Sequence, residues 1–245
     1  MPAVVSIAEV IFRMEAILAP LPRQDGVACF TRLYLAVTEG VQERLAKVEF
    51  NDAQFLARLD AVFAGMFFSA LTAFEREPSQ APRAWMPLFE ARRRRGVEPL
   101  QFAFAGMNAH INRDLPVALV TTCRELRLEL EEGSPQHHDF ERVNRVLAEV
   151  EAQVKRDYLG RWPRLLDRLL PRARRLDDVV AMWNIARARD AAWVNAEALW
   201  ELREDARRSA RYLAALDRMV GFAGRGLLVP RASLLHRFAR RLRAR

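Results

Sequence analysis

Between Gly106 and Pro116, in one of the most apolar parts of the chain, Asn108, His110, Asn112 and Asp114 stand at every second position. On an α-helix, residues four apart stack on one flank, so His110 and Asp114 are neighbours there and Asn108 and Asn112 share the other flank. A carboxylate beside an imidazole orients the ring and stabilises its cation. That makes His110 a candidate general base or acid, with Asp114 as its catalytic partner. The same pair supplies half of a metal site. A purely structural use competes with both: Asp114 orients a core histidine, and the Asn amides satisfy backbone groups left over where Pro116 interrupts the ladder. In either use the polar groups need partners, because each buried unsatisfied one costs about 1–3 kcal/mol.

Two more polar clusters sit in apolar surroundings. Asn144 falls among Phe140, Val143 and Leu147 and is expected to face inward. Further on, Trp183, Arg187, Asp190, Val194, Glu197 and Glu201 share one helical face, with Trp193 and Trp200 alongside. Arg187 and Asp190 there form a buried pair or a cradle for a polar substrate group. In an enzymatic reading Asn108, Asn112, Asn144 and Asp190 hydrogen-bond the substrate. Arg187 or Arg189 holds an anionic group, and Trp183 or Trp193 walls the pocket. No cofactor is favoured. A divalent metal stays open, with His110, Asp114 and Asp190 as its ligands, and such a His-x3-Asp element is similar to one in zinc-dependent phospholipases C and the related single-strand nucleases. Those families place another histidine after the proline, where this chain has Val117 and Ala118, and they use an N-terminal tryptophan it lacks. No nucleophile-elbow, phosphate-loop or dinucleotide-binding glycine motif is present.

The elements that must position these residues read as helices. Apolar spacing predicts helices over 4–18, 25–47 and 53–74, the third capped by Asn51-Asp52 and apolar nearly all round, as central helices are. Residues 75–84 read as a loop. A short helix follows from Trp85 to the Arg92–Arg95 run, which reads as a solvated helix end. The helix bearing His110 starts at Glu98-Pro99 and continues to about 131, broken or kinked at Pro116. Glu132-Gly133-Ser134-Pro135 is a breaker, followed by a helix over 137–156 and a short one over 162–170. A long helix from 177 to 204, extended toward Met219, ends the series before Gly221, Gly224 and Gly226. No alternating strand or hairpin signal occurs. The expectation is all-α: a single compact helical domain of about seven to nine helices over residues 1–229, around a buried central helix, with a basic tail over 230–245.

Composition narrows the function classes. The 245 residues are 51% hydrophobic and carry a formal charge of +8. Of 39 basic residues, six arginines lie in 231–245 with no acid among them, which leaves 33 against 31 acidic. A nearly balanced body disfavours a nucleic-acid partner. The tail, from Arg231 to Arg245, alternates arginines with Leu234, Leu235, Phe238 and Leu242, a pattern suited to weak contact with a membrane surface. No apolar run reaches the ~18–20 residues that span a bilayer. The first helix carries Glu9, Arg13 and Glu15, unlike a secretory signal. Cys29 and Cys123 stand far apart, so a cytoplasmic location is expected.

The run Gly106-Met107-Asn108-Ala109-His110-Ile111-Asn112-x-Asp114-Leu115 resembles the motif of an uncharacterised, mainly bacterial family, domain of unknown function five-nine-nine-five. Supporting matches are Phe30-x3-Tyr34-x3-Thr38, Trp85, Asp139-Phe140-x3-Asn144-x2-Leu147 and Arg189-Asp190-x-Ala192-Trp193. The resemblance implies a helical domain and the same three polar clusters, and it implies no reaction. Three functions fit the residues. The first is a small-molecule enzyme whose pocket lies between the 98–115, 139–156 and 177–204 helices. The second is a non-catalytic binder of a lipid or isoprenoid-like ligand, and the third a metal-dependent phosphoester hydrolase. All but the last take a small apolar or amphipathic partner.

Overall fold

The computed structural model describes residues 6–45, 50–144, 146–147 and 185–230. Among them every regular element is helical: α1 (Ile7–Leu18), α2 (Gly26–Leu45), α3 (Ala53–Arg76), α4 (Met86–Ala91), α5 (Pro99–Ala109), α6 (Leu115–Leu126), α7 (residues 135–144), α8 (Ile185–Glu201) and α9 (Ala206–Leu227). Side chains set most boundaries. Ser6 caps α1 and Asp52 caps α3, its carboxylate accepting the Phe55 N–H at 2.9 Å. Glu98 and Gln101 form a reciprocal capping box at α5, with Pro99 at its first position.

The axis of the fold is α5 running into α6. Residues 102–107 and Ala109 are buried all round, and α5 packs between α2 and α9, while α6 packs between α3 and α8. The helix with no exposed face is therefore α5 rather than α3, which turns several residues to solvent. By length and hydropathy α3 could cross a bilayer, yet Phe55, Phe67, Phe68 and Leu71 belong to the core shared with α1 and α6. Phe30 is the hub of that core, with its ring against Tyr34, Phe67, Trp85 and His110. Gly106 admits it: a Cβ there would lie 2.4 Å from the Phe30 ring. Asp139, fully buried at the start of α7, ties that helix to α3 by accepting the backbone N–H groups of Asn51 and Asp52 at 3.0 and 2.7 Å.

Three local expectations change. The helix expected to run toward Met219 stops at Glu201, a turn intervenes, and Asp205 caps a separate α9. Gly221 and Gly224 lie inside α9 rather than after it, and a Cβ on Gly221 would meet the Arg83 carbonyl at 2.5 Å, so the glycine sets how closely α9 docks. The first arginine of the Arg92–Arg95 run is not a solvated cation, because it pairs with buried Asp25 at 2.8 Å. The helix expected over 162–170, the start of the long helix at 177 and the basic tail lie outside the described residues.

Candidate functional site

Between α5 and α6 the helix does not break at Pro116; it widens. Residues His110–Asp114 form one π turn, closed by the Leu115 N–H on the His110 carbonyl. In a regular helix the ring of Pro116 would clash with the carbonyl of Asn112, and its missing N–H would leave that carbonyl unbonded. The wider turn accommodates both, and Pro116 enters α6 at a first-turn position where no N–H is needed. Single π turns recur at functional sites. This one holds His110, Ile111 and Asp114 in the core.

The His110 ring lies flat against Phe63, with centroids 3.6 Å apart and 5° between planes, and edge-on to Tyr34 at 4.7 Å. Its Nδ1 stands 3.4 Å from Oδ2 of Asp114. The same oxygen accepts the Trp85 indole N–H at 2.9 Å, and the other accepts from Arg113 at 2.8 Å. A carboxylate only accepts, so Nδ1 carries the proton and Nε2 is left as a bare acceptor. Burial holds the imidazole below its usual range, partly offset by the bond to Asp114 and its charge.

Three buried polar atoms lack a described partner and line one pocket: Nε2 of His110, the Tyr34 hydroxyl and Oδ2 of Asp60. The cavity is about 250 Å³ and otherwise mostly apolar, bounded by residues such as Val37, Val41, Leu56, Met107, Leu115 and Val143. Burial, with the charges of Asp60 and Asp114 adding to it, pushes the Tyr34 phenol well above its ordinary value, so it remains a donor. Burial pushes the Asp60 carboxyl up to about 6, restrained by the nearby Arg189 charge. Arg189, which lines the same pocket, is pulled down to about 9 by burial against the favourable charges of Asp190 and Asp60. Its Nε donates to the Asn144 amide oxygen and its guanidinium lies 4.1 Å over the Phe140 ring.

The expected residues divide. His110 and Arg189 line the pocket, Asp114 stands behind the His110 ring, and Asn144 braces Arg189. Asn108 and Asn112 do not reach it. Asn108 donates to the Val220 carbonyl of α9 at 3.0 Å and accepts from Asn112 at 3.2 Å. The Arg187–Asp190 face of α8 turns outward, contrary to expectation, because α8 buries Arg189, Ala192, Trp193 and Ala196 instead. Asp190 bonds Asn144 at 3.0 Å. Trp193 packs on Phe140 and His137 and donates to Glu197 at 2.8 Å, away from the cavity. Trp183 lies outside the described residues. With Asp190 exposed and His110 and Asp114 buried, the conditional metal set is dispersed. Among the described residues no three His, Cys, Asp or Glu side chains gather to hold an ion.

Sequence reasoning missed Tyr34, Phe63 and Asp60, and with them the contribution of α2 and α3 to the pocket. Asp60 did leave a signal: it is the one acid among residues 53–74.

These features define an all-α protein whose core opens into an apolar pocket edged by unpaired polar groups. The chain belongs to the family of unknown function DUF5995, whose model matches residues 7–230. No curated protein and no solved structure matches it.

Proposed function

We propose that the chain is an acid–base enzyme that moves a proton within a small, mainly apolar molecule. The observation that carries this reading is the convergence of three unpaired polar atoms, from Tyr34, Asp60 and His110, on one apolar pocket. Unpaired buried groups are costly, and a substrate that pairs with them recovers that cost. His110 accepts a proton at Nε2, and the Asp114 carboxylate behind it stabilises the resulting imidazolium. Asp60 in its acid form delivers a proton to a second atom of the substrate. The Tyr34 hydroxyl holds the substrate oxygen on which charge develops. The imidazolium then returns its proton to the Asp60 carboxylate, so the cycle closes without a co-reactant. A cavity of about 150 Å³ holds benzene, so one of this size takes roughly ten non-hydrogen atoms. An enolisable ketone of that size suits the three groups.

The test is hydrogen exchange at the carbons beside the carbonyl of 2-indanone in heavy water, followed by mass spectrometry. The wild type accelerates exchange, and His110→Gln abolishes the acceleration at an unchanged thermal midpoint. His110 must be neutral while Asp60 is protonated, so the rate falls as pH rises through the Asp60 value of about 6 and falls again as pH drops through the lowered His110 value. Exchange in the His110→Gln variant equal to wild type sinks the proposal. A second reading, non-catalytic retention of a lipid or isoprenoid-like ligand, draws support from the apolar lining and from Phe63 covering the His110 face. Retention of 2-indanone without exchange favours it.

A further inference from the structure

The outer face of α9 presents a second chemistry. Successive residues turn by 100°, which brings Arg207, Arg211, Arg218 and Arg225 onto one line, and all four are exposed. The line runs about 27 Å along the helix at 1.5 Å per residue. Phe222 and Met219 flank it, 78% and 67% exposed. Among the described residues no carboxylate pairs with any of these four arginines. The one acid in the middle of α9, Asp217, points the other way, accepting the backbone N–H groups of Arg83 and Ala84 at 2.8 and 3.0 Å. Leu216, Val220 and Gly221 anchor the inner face, so the arginine row belongs to a firmly docked helix.

We infer that α9 lies flat on an anionic phospholipid surface. Two arguments choose that occupant. A row of unpaired guanidiniums is complementary to lipid phosphates and carboxylates, and the apolar pair beside it inserts among acyl chains, which a nucleic-acid backbone would leave exposed. The chain also continues from the end of α9 into residues 231–245, which add six arginines and no acid and so extend the same charge.

The experiment is co-flotation of the full chain with vesicles of phosphatidylcholine alone, or with about a third phosphatidylserine. Wild type floats with the acidic vesicles and not with the neutral ones. Arg211→Gln, Arg218→Gln and Arg225→Gln together lower the partition coefficient about a hundredfold, at roughly fivefold per arginine, with the helical circular dichroism unchanged. A Phe222→Cys variant carries an environment-sensitive dye at that site alone, since Cys29 and Cys123 are buried, and its emission shifts to the blue on acidic vesicles. Equal flotation with neutral vesicles, or no flotation, overturns the inference. So does a triple variant that binds like wild type while glutamines at the six tail arginines abolish binding. An unshifted dye on bound protein, or tighter binding to a DNA duplex at the same salt, overturns it as well.

Discussion

The segment from Asn108 to Asp114 is polar on two flanks that are built in opposite ways. On one, Asn108 and Asn112 bond each other and the Val220 carbonyl, so their amides fasten α5 to α9. On the other, His110 is fixed at Nδ1 by Asp114 but has no described partner at Nε2, and its neighbours Tyr34 and Asp60 are equally unpaired. Residues of similar polarity a few positions apart thus serve different ends. What separates them is whether the protein itself completes their hydrogen bonds. A completed group is part of the scaffold, whereas an uncompleted one edging a cavity is available to a ligand.

The largest effect expected from breaking this contrast is at the hinge between the flanks. Asp114→Ala strips the acceptor from His110, Trp85 and Arg113 at once and orphans the buried indole N–H and imidazole Nδ1, so unfolding by urea should show a loss of about 2–6 kcal/mol, at about 1–3 for each orphaned buried group. Asn108→Ala comes next. It removes the side-chain bond to the Val220 carbonyl and the one from Asn112, and costs about 1–3 kcal/mol. Amide exchange should rise in α9, while 2-indanone binding holds at the wild-type value. Tyr34→Phe should reverse the pattern: stability stays within about 1 kcal/mol of wild type or improves, because a buried hydroxyl without a partner is removed. Catalysed exchange should fall tenfold or more. If Tyr34→Phe destabilises as much as Asn108→Ala, the distinction between the flanks collapses.

A fourth effect lies in the pH dependence of stability. Asp60 has a folded value of about 6, above its ordinary 3.8, so its contribution is full below about 3.8 and is lost as pH rises through about 6. His110 works oppositely: its folded value is lowered, so its contribution is present above its ordinary 6.5 and is lost as pH falls through the folded value. Asp60→Asn should therefore gain on wild type between pH 4 and 6, while His110→Gln gains on it only on the acid side of His110. Parallel melting curves for wild type and Asp60→Asn across that window would show that Asp60 is not desolvated.

Helical class, the Asp52 cap and the prominence of His110 and Asp114 were readable because each rests on local spacing. Asn144 was read as inward for the same reason, and it is buried. The face of α8 was misjudged because Val194 and Trp183 suggested burial, while Ala192 and Ala196, small enough to let α8 approach α6, carried the real contact. Tyr34 and Asp60 join His110 through packing between helices remote in the chain, which no single-helix periodicity encodes. The π turn was read as a kink, since a proline announces only that the regular ladder must change there.

That turn acts as a phase shifter. A π turn holds one residue more than the α-helical turn it replaces, so everything after it is rotated by about one residue's 100° relative to an unbroken helix. The apolar faces of α5 and α6 point to their different neighbours because of that offset, and His110 sits at the slip. Deleting a single residue between His110 and Asp114 would restore an ordinary helix and turn either the imidazole or the whole of α6 out of register. At this place the length of the chain is as constrained as its composition.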